Sequence, residues 1–322
     1  MVPDKLQNAE CSVVVCTYKP VWEKLRLTLK SVLLQENCNM HIVVTDDGSE
    51  ENCFDRIRDY FAKHSFRNYE LVASSQNQGT TKNILQGVQA SVGEFVKPLS
   101  PGDFLHGRNA LRKWIDFMRE RKDCIMSFCD AIYYHMEKGK IFATKEYAHP
   151  QYANVCGGGT SLRNYLLVDD ICLGAASLVR RELWIKYLEM ISGKVVYAED
   201  NSYRIMMYCG EKFAYLPQSL LLYEYGSGIS TSGSDVWAKR LRKDWLAANT
   251  VMLESKPCKE AVRLQIPEFL RIFGKSGWYG RLQRWWISPA RLCYGLKYRF
   301  FPRFTPTDVD EAYAVELLSS DT

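Results

Sequence analysis

An α/β fold, with a mostly parallel central sheet and flanking helices, is what this sequence predicts, on three observations. Short apolar runs rich in β-branched residues end abruptly in polar tips, as at Val43, Val44, Thr45, Asp46 and Asp47. Segments with apolar residues at helical spacing separate those runs. The two kinds alternate along the first third of the chain, the order expected of βαβ units.

Cys11, Ser12, Val13, Val14, Val15 and Cys16 form the first strand, followed by a polar loop at Thr17, Tyr18, Lys19 and Pro20. Leu25, Leu29, Val32 and Leu33 mark the first helix, and Ile42 to Thr45 the second strand. A second helix is expected over 51–64 and a third strand over 69–73. The segment from Asn77 to Asn83 opens a helix that ends near Ser91, and a fourth strand closes at Leu99. Leu111, Trp114, Ile115 and Met118 predict a further helix, and residues 124–128 a further strand. Residues 171–179 read as a strand whose Gly174, Ala175, Ala176 and Ser177 let a substrate approach the backbone. A helix over 180–190 follows, and another starts at Glu199 and Asp200 and runs through Tyr203 and Met207.

With 322 residues the chain exceeds the usual size of a single core, and its 47% hydrophobic content is ample for burial. The expected organisation is one α/β domain over 1–235, with halves at about 1–105 and 106–235, and a helical, basic and aromatic region over 236–322. Eleven cysteines, an odd number without a CxxC pair, fall partly in apparent strands, as Cys11, Cys16, Cys124 and Cys129 do. There they act as small apolar residues, which predicts a reducing compartment. The polar N-terminus carries no secretory apolar segment, and no run reaches the roughly 18 apolar residues of a membrane span. A cytoplasmic location is therefore expected. Five histidines without close spacing argue against a histidine-based zinc site.

Asp46 and Asp47 stand at a strand tip, where open α/β sheets bind ligands. Adjacent carboxylates exposed there suit a partner that supplies donors or positive charge: a base edge, ribose hydroxyls or a metal. The alternative is a plain turn, since Asp, Gly and Ser favour turns. The glycine run at Gly157, Gly158 and Gly159 lacks the lysine of a phosphate-binding P-loop and reads as a connector or an acceptor-side loop. The segment with Gly226, Gly228 and Gly233 is either a link or a loop that closes over a diphosphate.

Five blocks in order, Val15 to Tyr18, Val44 to Ser49, Asn77 to Asn83, Gly93 to Leu105, and Glu199 with Asp200, resemble a family 2 glycosyltransferase of the GT-A fold, a Rossmann-like architecture. The resemblance covers about two thirds of the chain and implies an inverting transferase that uses a nucleotide-diphosphate sugar. It gives Thr17, Tyr18, Asp46 and Asp47 the nucleoside, with Asn77, Gly79, Lys82, Ser100 and Gly102 completing the nucleotide-sugar cradle. An ionised Asp accepts from uracil N3 and ribose hydroxyls, so a UDP-sugar is the favoured donor. Lys82 stands where the family usually has Arg, which keeps the charge and loses the planar fork. By resemblance Asp200 is the general base and Glu199 its supporting neighbour; acids in a first helical turn also suit the helix dipole alone.

One block departs from the pattern. Where the family carries Leu, Asp, any residue, Asp and Asp, this chain reads Leu99, Ser100, Pro101, Gly102 and Asp103. Asp103 is then the one acid left to hold a divalent cation, Mg2+ or Mn2+, which needs as few as one or two protein carboxylates. The alternative is metal-free stabilisation of the leaving diphosphate by Lys82 and basic residues of the C-terminal part.

Between Val236 and Thr305 there are 15 Lys and Arg against 4 Asp and Glu, so the remainder of a chain with net charge +5 is acidic. Trp278, Tyr279, Trp285, Trp286, Tyr294, Tyr298, Phe300, Phe301 and Phe304 are interleaved with that charge. This composition predicts a peripheral contact with an anionic membrane surface, the alternative being a packed helical subdomain with snorkelling basics. No nucleic-acid motif accompanies it, so no nucleic-acid partner is expected. The acceptor expected is a glycan or lipid-linked glycan, in cell-surface polysaccharide synthesis on the inner face of the membrane. Two rivals remain. A sugar nucleotidyltransferase would open with a Gly-rich phosphate loop, and no Gly lies between Val13 and Pro20. A non-catalytic glycan- or membrane-binding relative is suggested by the acids missing before Asp103.

Overall fold

A computed structural model describes residues 9–147, 166, 173–226, 228, 234–257, 260–273, 277–287, 289 and 309–320. Nine strands form one sheet in the order β3-β2-β1-β4-β8-β6-β9-β5, with β7 paired to β6. The first four are β1 (Cys11–Thr17), β2 (Met40–Asp46), β3 (Tyr69–Ala73) and β4 (Phe95–Leu99), all mutually parallel. Helices α1 (Trp22–Leu33), α2 (Phe54–Lys63) and α3 (Thr80–Ala90) connect them. Val13, Val14 and Val15 are wholly buried, as the central strand of a parallel sheet covered on both faces must be. The chain adds β2 and β3 on one side of β1 and then β4 on the other. The tips of β1 and β4 therefore flank a topological switch point, the usual ligand position in such sheets.

The second half departs from simple alternation. After β5 (Phe104–Leu105) and α4 (Ala110–Arg119) comes β6, which runs from Cys124 to Glu137 and not merely over 124–128. It is followed by β7 (Lys140–Tyr147), β8 (Ser177–Arg180), α5 (Arg181–Ile191), α6 (Asn201–Cys209) and β9 (Lys212–Glu224). Strand β8 is antiparallel to both β4 and β6, while β9 runs parallel to β6. The strand expected over 171–179 is shorter: Gly174–Ala176 forms a single 3-10 turn before β8. Three small residues in a row supply little side-chain surface to hold an extended strand.

Among the described residues, parts of the C-terminal region pack on the α/β core. Helix α7 (Asp235–Glu254) begins at the expected boundary, yet Ala248, Val251 and Met252 lie in the main core with Trp184, Tyr203 and Met207. Their spacing makes an apolar seam on a helix that is basic elsewhere. Beyond α8 (Glu260–Arg263), α9 (Ile266–Phe273) and α10 (Gly277–Ile287), the last helix α11 (Glu311–Leu318) returns to the sheet. There Tyr313 and Leu317 pack with Leu27, Phe104 and Leu222, and the Tyr313 hydroxyl donates to Leu105 O at 2.8 Å. Across the expected 235/236 boundary the charge pattern changes, while described parts of α7 and α11 share buried clusters with the α/β part. On α10, Trp278 and Trp286 are 70% and 89% exposed. Among the described residues no helix is long and apolar enough to cross a membrane. The glycine run at 157–159, most of the segment at 227–233, and Tyr294, Tyr298, Phe300, Phe301 and Phe304 lie outside the described residues.

Candidate active site

Thr17, Asp46 and Leu99 end parallel strands, so their tips share one edge of the sheet. Thr17 Oγ1 lies 2.9 Å from both Thr45 O and Asp46 Oδ2. Asp46 also accepts from Ser49 N at 2.7 Å and Ser49 Oγ at 2.8 Å. Asp47 accepts from Gln78 N and Gly79 N, each at 2.8 Å. The expectation that the paired acids are exposed is therefore corrected: both are buried. Asp46 is spent on its own turn, and Asp47 fixes the entry of α3 by bonds that its negative charge strengthens. Tyr18, Asn77 and Ser100 are exposed around this edge, while Lys82 is half-buried with Nζ 3.2 Å from Gln78 Oε1.

The entry of α3 is tied to the acid pair more than a hundred residues away in sequence. Gly79 has φ +92°, and a Cβ there would lie 2.4 Å from Val196 Cγ1 and 2.6 Å from Val196 O. Only glycine allows both that backbone and that approach. Thr81 N donates to Val196 O at 3.0 Å. Val196 leads directly into Tyr197, Ala198, Glu199 and Asp200, and Asp200 is the N-cap of α6. The backbone before the pair is held by one buried carboxylate. Asp244 of α7 accepts from Val196 N at 3.1 Å, Tyr197 N at 2.6 Å and Ala198 N at 3.0 Å. Buried Arg204 of α6 stacks over Trp245 at 4.6 Å and donates to Asn249 Oδ1 at 3.3 Å, locking α6 to α7.

Glu199 lies against the Gly174 turn: a Cβ on Gly174 would be 3.3 Å from Glu199 Oε1 and 3.7 Å from Asp200 Cβ. A larger residue at 174 would crowd the pair. Desolvation first, and the neighbouring Asp200 carboxylate second, push Glu199 above the usual carboxylate range, and Asp244 adds to the effect. Cys16 of β1 feels both halves of the site. Burial pushes its thiol up to about 12 against the opposing Thr45 hydrogen bond, with the Glu199 and Asp47 carboxylates reinforcing the shift. Thr17, Asp47, Gly79, Glu199 and Asp200 are thus brought together at the switch point.

The turn after β4 fits a divalent cation poorly. Asp103, the one acid of the block, is buried, and its Oδ2 accepts from Ser100 N at 3.1 Å. Burial pushes its carboxyl up to about 7; Lys97 and the backbone at Ser100 oppose this, and Glu224 adds to it. Gly102, at φ +105°, has no side chain to offer, and a Cβ there would lie 2.6 Å from Glu224 Oε2. Among the described residues no cluster of three or more His, Cys, Asp or Glu is arranged to hold a metal. Beneath the turn, wholly buried Lys97 donates to Pro98 O at 2.8 Å and to Ala175 O, and sits 5.2 Å over the Trp114 ring. Desolvation lowers its ammonium to about 8.

Sequence reasoning missed Asp244, Lys97 and Glu224. Lys97 had a visible signal, a lysine inside the apolar run Phe95 to Leu99. Glu224 ends a similar run at Leu220 to Tyr223, whereas Asp244 was hidden inside the basic stretch of α7.

No curated protein sequence matches the chain. Among solved structures, a mannosyltransferase from Pyrobaculum calidifontis in complex with GDP-Man and Mn2+ is 14% identical, with TM-score 0.57 over 99% of this chain and 83% of that one. Residues 1–349 of S. aureus TarS in complex with UDP give 18% identity and TM-score 0.55 over 83% of this chain and 72% of that one. Against a longer TarS chain the values are 18% and 0.54 over 83% of this chain, and the match spans 44% of TarS. These likenesses show a GT-A fold. The family profile for glycosyl transferase family 2 matches residues 12–188, more than half of the chain, and the protein belongs to that family.

Proposed function

We propose that the protein is an inverting glycosyltransferase that moves a sugar from a nucleotide-diphosphate donor to a hydroxyl of a glycan or lipid-linked glycan. The observation that carries the reading is the Val196 bridge, which sets the Glu199–Asp200 pair beside the helix entry held by Asp47. A donor bound over the strand tips then has its anomeric carbon within reach of an acceptor activated at the acid pair. Asp200 takes the proton of the acceptor hydroxyl. The acceptor oxygen bonds to the anomeric carbon as the bond to the diphosphate breaks, and direct displacement inverts that carbon. Glu199, pushed above the usual carboxylate range by burial and by the Asp200 charge beside it, supports Asp200 as the neighbouring member of the pair. With Asp46 and Asp47 bonded within the protein, the nucleoside is left to Tyr18, Asn77, the Asp47-ordered loop and Lys82.

The UDP bound to TarS supports a UDP-sugar, and the GDP-Man of the mannosyltransferase supports a guanine donor equally. The Mn2+ of the latter supports divalent-cation use on this fold, but the donor set at Gly102 and Asp103 here does not match one. Seven described cysteines carry free thiols, which suits a reducing compartment on the inner face of a membrane. Exposed Trp278 and Trp286 support contact with that surface.

The test is Asp200→Asn, which removes the base and is nearly isosteric. Transfer should fall by about a hundredfold or more while nucleotide affinity stays within a few fold. Transfer near the wild-type rate would exclude Asp200 as the base.

A further inference from the structure

We infer that this enzyme holds the donor diphosphate with the Lys24 ammonium, presented by Glu224, in place of a divalent metal. The inference rests on the nucleotide-sugar reading above and names the group that receives the leaving charge.

The position that would carry a metal-binding acid in the resembled pattern is Gly102, and the space its side chain would take is occupied. Glu224 Oε2, from the end of β9, lies 2.6 Å from where a Cβ on Gly102 would be. A carboxylate has been returned to the turn from another strand, and it arrives with its own cation. Lys24 Nζ donates to Glu224 Oε1 at 2.7 Å and to Oε2 at 2.6 Å. A metal ion on Glu224 would have to displace an ammonium that already engages both oxygens. Asp103 offers no alternative, because it is buried with Oδ2 on Ser100 N.

The ammonium is fixed with respect to the turn by a second contact from the same helix. Thr28, four residues after Lys24 and so on the same face of α1, accepts from Gly102 N at 3.0 Å through Oγ1. An ammonium has three donors; Glu224 takes two, and the Lys24 side chain remains 37% exposed. Among the described residues nothing else takes the third donor, which leaves it for a phosphate oxygen. As the bond between the anomeric carbon and the diphosphate breaks, its electron pair passes to the phosphate oxygen, and a preset positive group there lowers the barrier. Glu224 plays the part of the protein carboxylate that would otherwise orient a metal, and it keeps the lysine from being an unpaired cation in the resting enzyme.

The experiment measures binding of UDP, GDP and the corresponding nucleosides to the full chain by calorimetry, with excess EDTA and with Mn2+. The diphosphate that binds should do so within about twofold in the two conditions. Lys24→Ala should weaken it by about tenfold or more, the usual scale for a lost charged hydrogen bond, while nucleoside affinity is kept. Lys24→Arg should restore most of the loss, which also controls for folding. A gain of about tenfold or more from Mn2+ overturns the inference, as does a Lys24→Ala variant that binds the diphosphate like wild type or loses nucleoside equally. If neither diphosphate binds in any condition, the nucleotide-sugar reading itself falls, an outcome distinct from binding that depends on Mn2+.

Discussion

At the scale of single residues, the least expected group is Asp103. Its folded value of about 7 stands above the ordinary 3.8, so the stability it contributes in its protonated form is full below about 4 and is lost as pH rises through 7. Lys97, lowered from 10.5 to about 8, has the opposite sign: its contribution is present above 10.5 and is lost as pH falls to about 8. Between pH 5 and 8 the Asp103 carboxyl therefore contributes a falling slope, in the same sense as raised Glu199 and against lowered His41. Asp103→Asn, which keeps an acceptor for Ser100 N without titrating, should remove a contribution of about 2 kcal/mol to the decline in stability over that interval. Urea midpoints at the two ends of the interval check this, and equal slopes for the two proteins would assign the titration to other groups. The chemistry of this site was partly legible in the sequence. Adjacent acids at a strand tip, and the order of the blocks, pointed to the sheet edge where Thr17, Asp46 and Leu99 end. What they could not show is that Asp46 and Asp47 turn inward, because that depends on Ser49 and on the Gln78–Gly79 loop folding over them.

At the scale of elements, the parallel half was readable because each strand is a short, mainly apolar run and each helix has a periodic apolar face. Strand β3 begins and ends at the residues expected, and α3 differs by no more than a turn. The long strands β6 and β9 were not readable to their ends. Their distal parts mix Tyr, Asp, His and Glu with apolar residues, since only some of their side chains reach a buried cluster while the backbone pairs mainly with β7 and with each other. Helix α7 carries the heaviest functional consequence of this kind. Its Asp244 satisfies three consecutive backbone N–H groups immediately before the acid pair, although it belongs to a stretch that reads as a basic tail. Asp244→Asn retains one acceptor oxygen and removes the charge. It should lower kcat by about tenfold while donor affinity stays within a few fold, as expected when a catalytic group is misplaced by a fraction of its reach. It should also move the acidic limb of the pH profile downward, because Glu199 loses a neighbouring negative charge. A purely structural role would reduce yield or melting temperature and leave both kcat and that limb where they are.

At the scale of the whole molecule, the chain closes on itself, and among the described residues α10 keeps three tryptophans exposed. Helix α11 ties the C-terminus to α1 and β5 through Tyr313, and Lys30 Nζ donates to Ser319 O at 2.8 Å. Truncation before Lys275 would strip Tyr313 and Leu317 from a buried cluster and destabilise the catalytic unit whatever the tail binds. A membrane role is therefore better tested by substitution. Trp278, Trp285 and Trp286 are exposed on α10, in the part of the chain where positive charge is concentrated. Exposed tryptophans beside basic residues suit the headgroup region of an anionic bilayer, where the indole leaves water and the cations meet lipid charge. Trp278→Ser with Trp286→Ser in the full chain should reduce co-sedimentation with phosphatidylglycerol vesicles by about tenfold, leave neutral vesicles unaffected and leave the melting temperature unchanged, since neither side chain is buried. The wild-type protein should release from the same vesicles as salt rises, because screening shortens the reach of the basic surface. Equal sedimentation of the wild type and the double variant would show instead that the exposed aromatic face is not what meets the lipid.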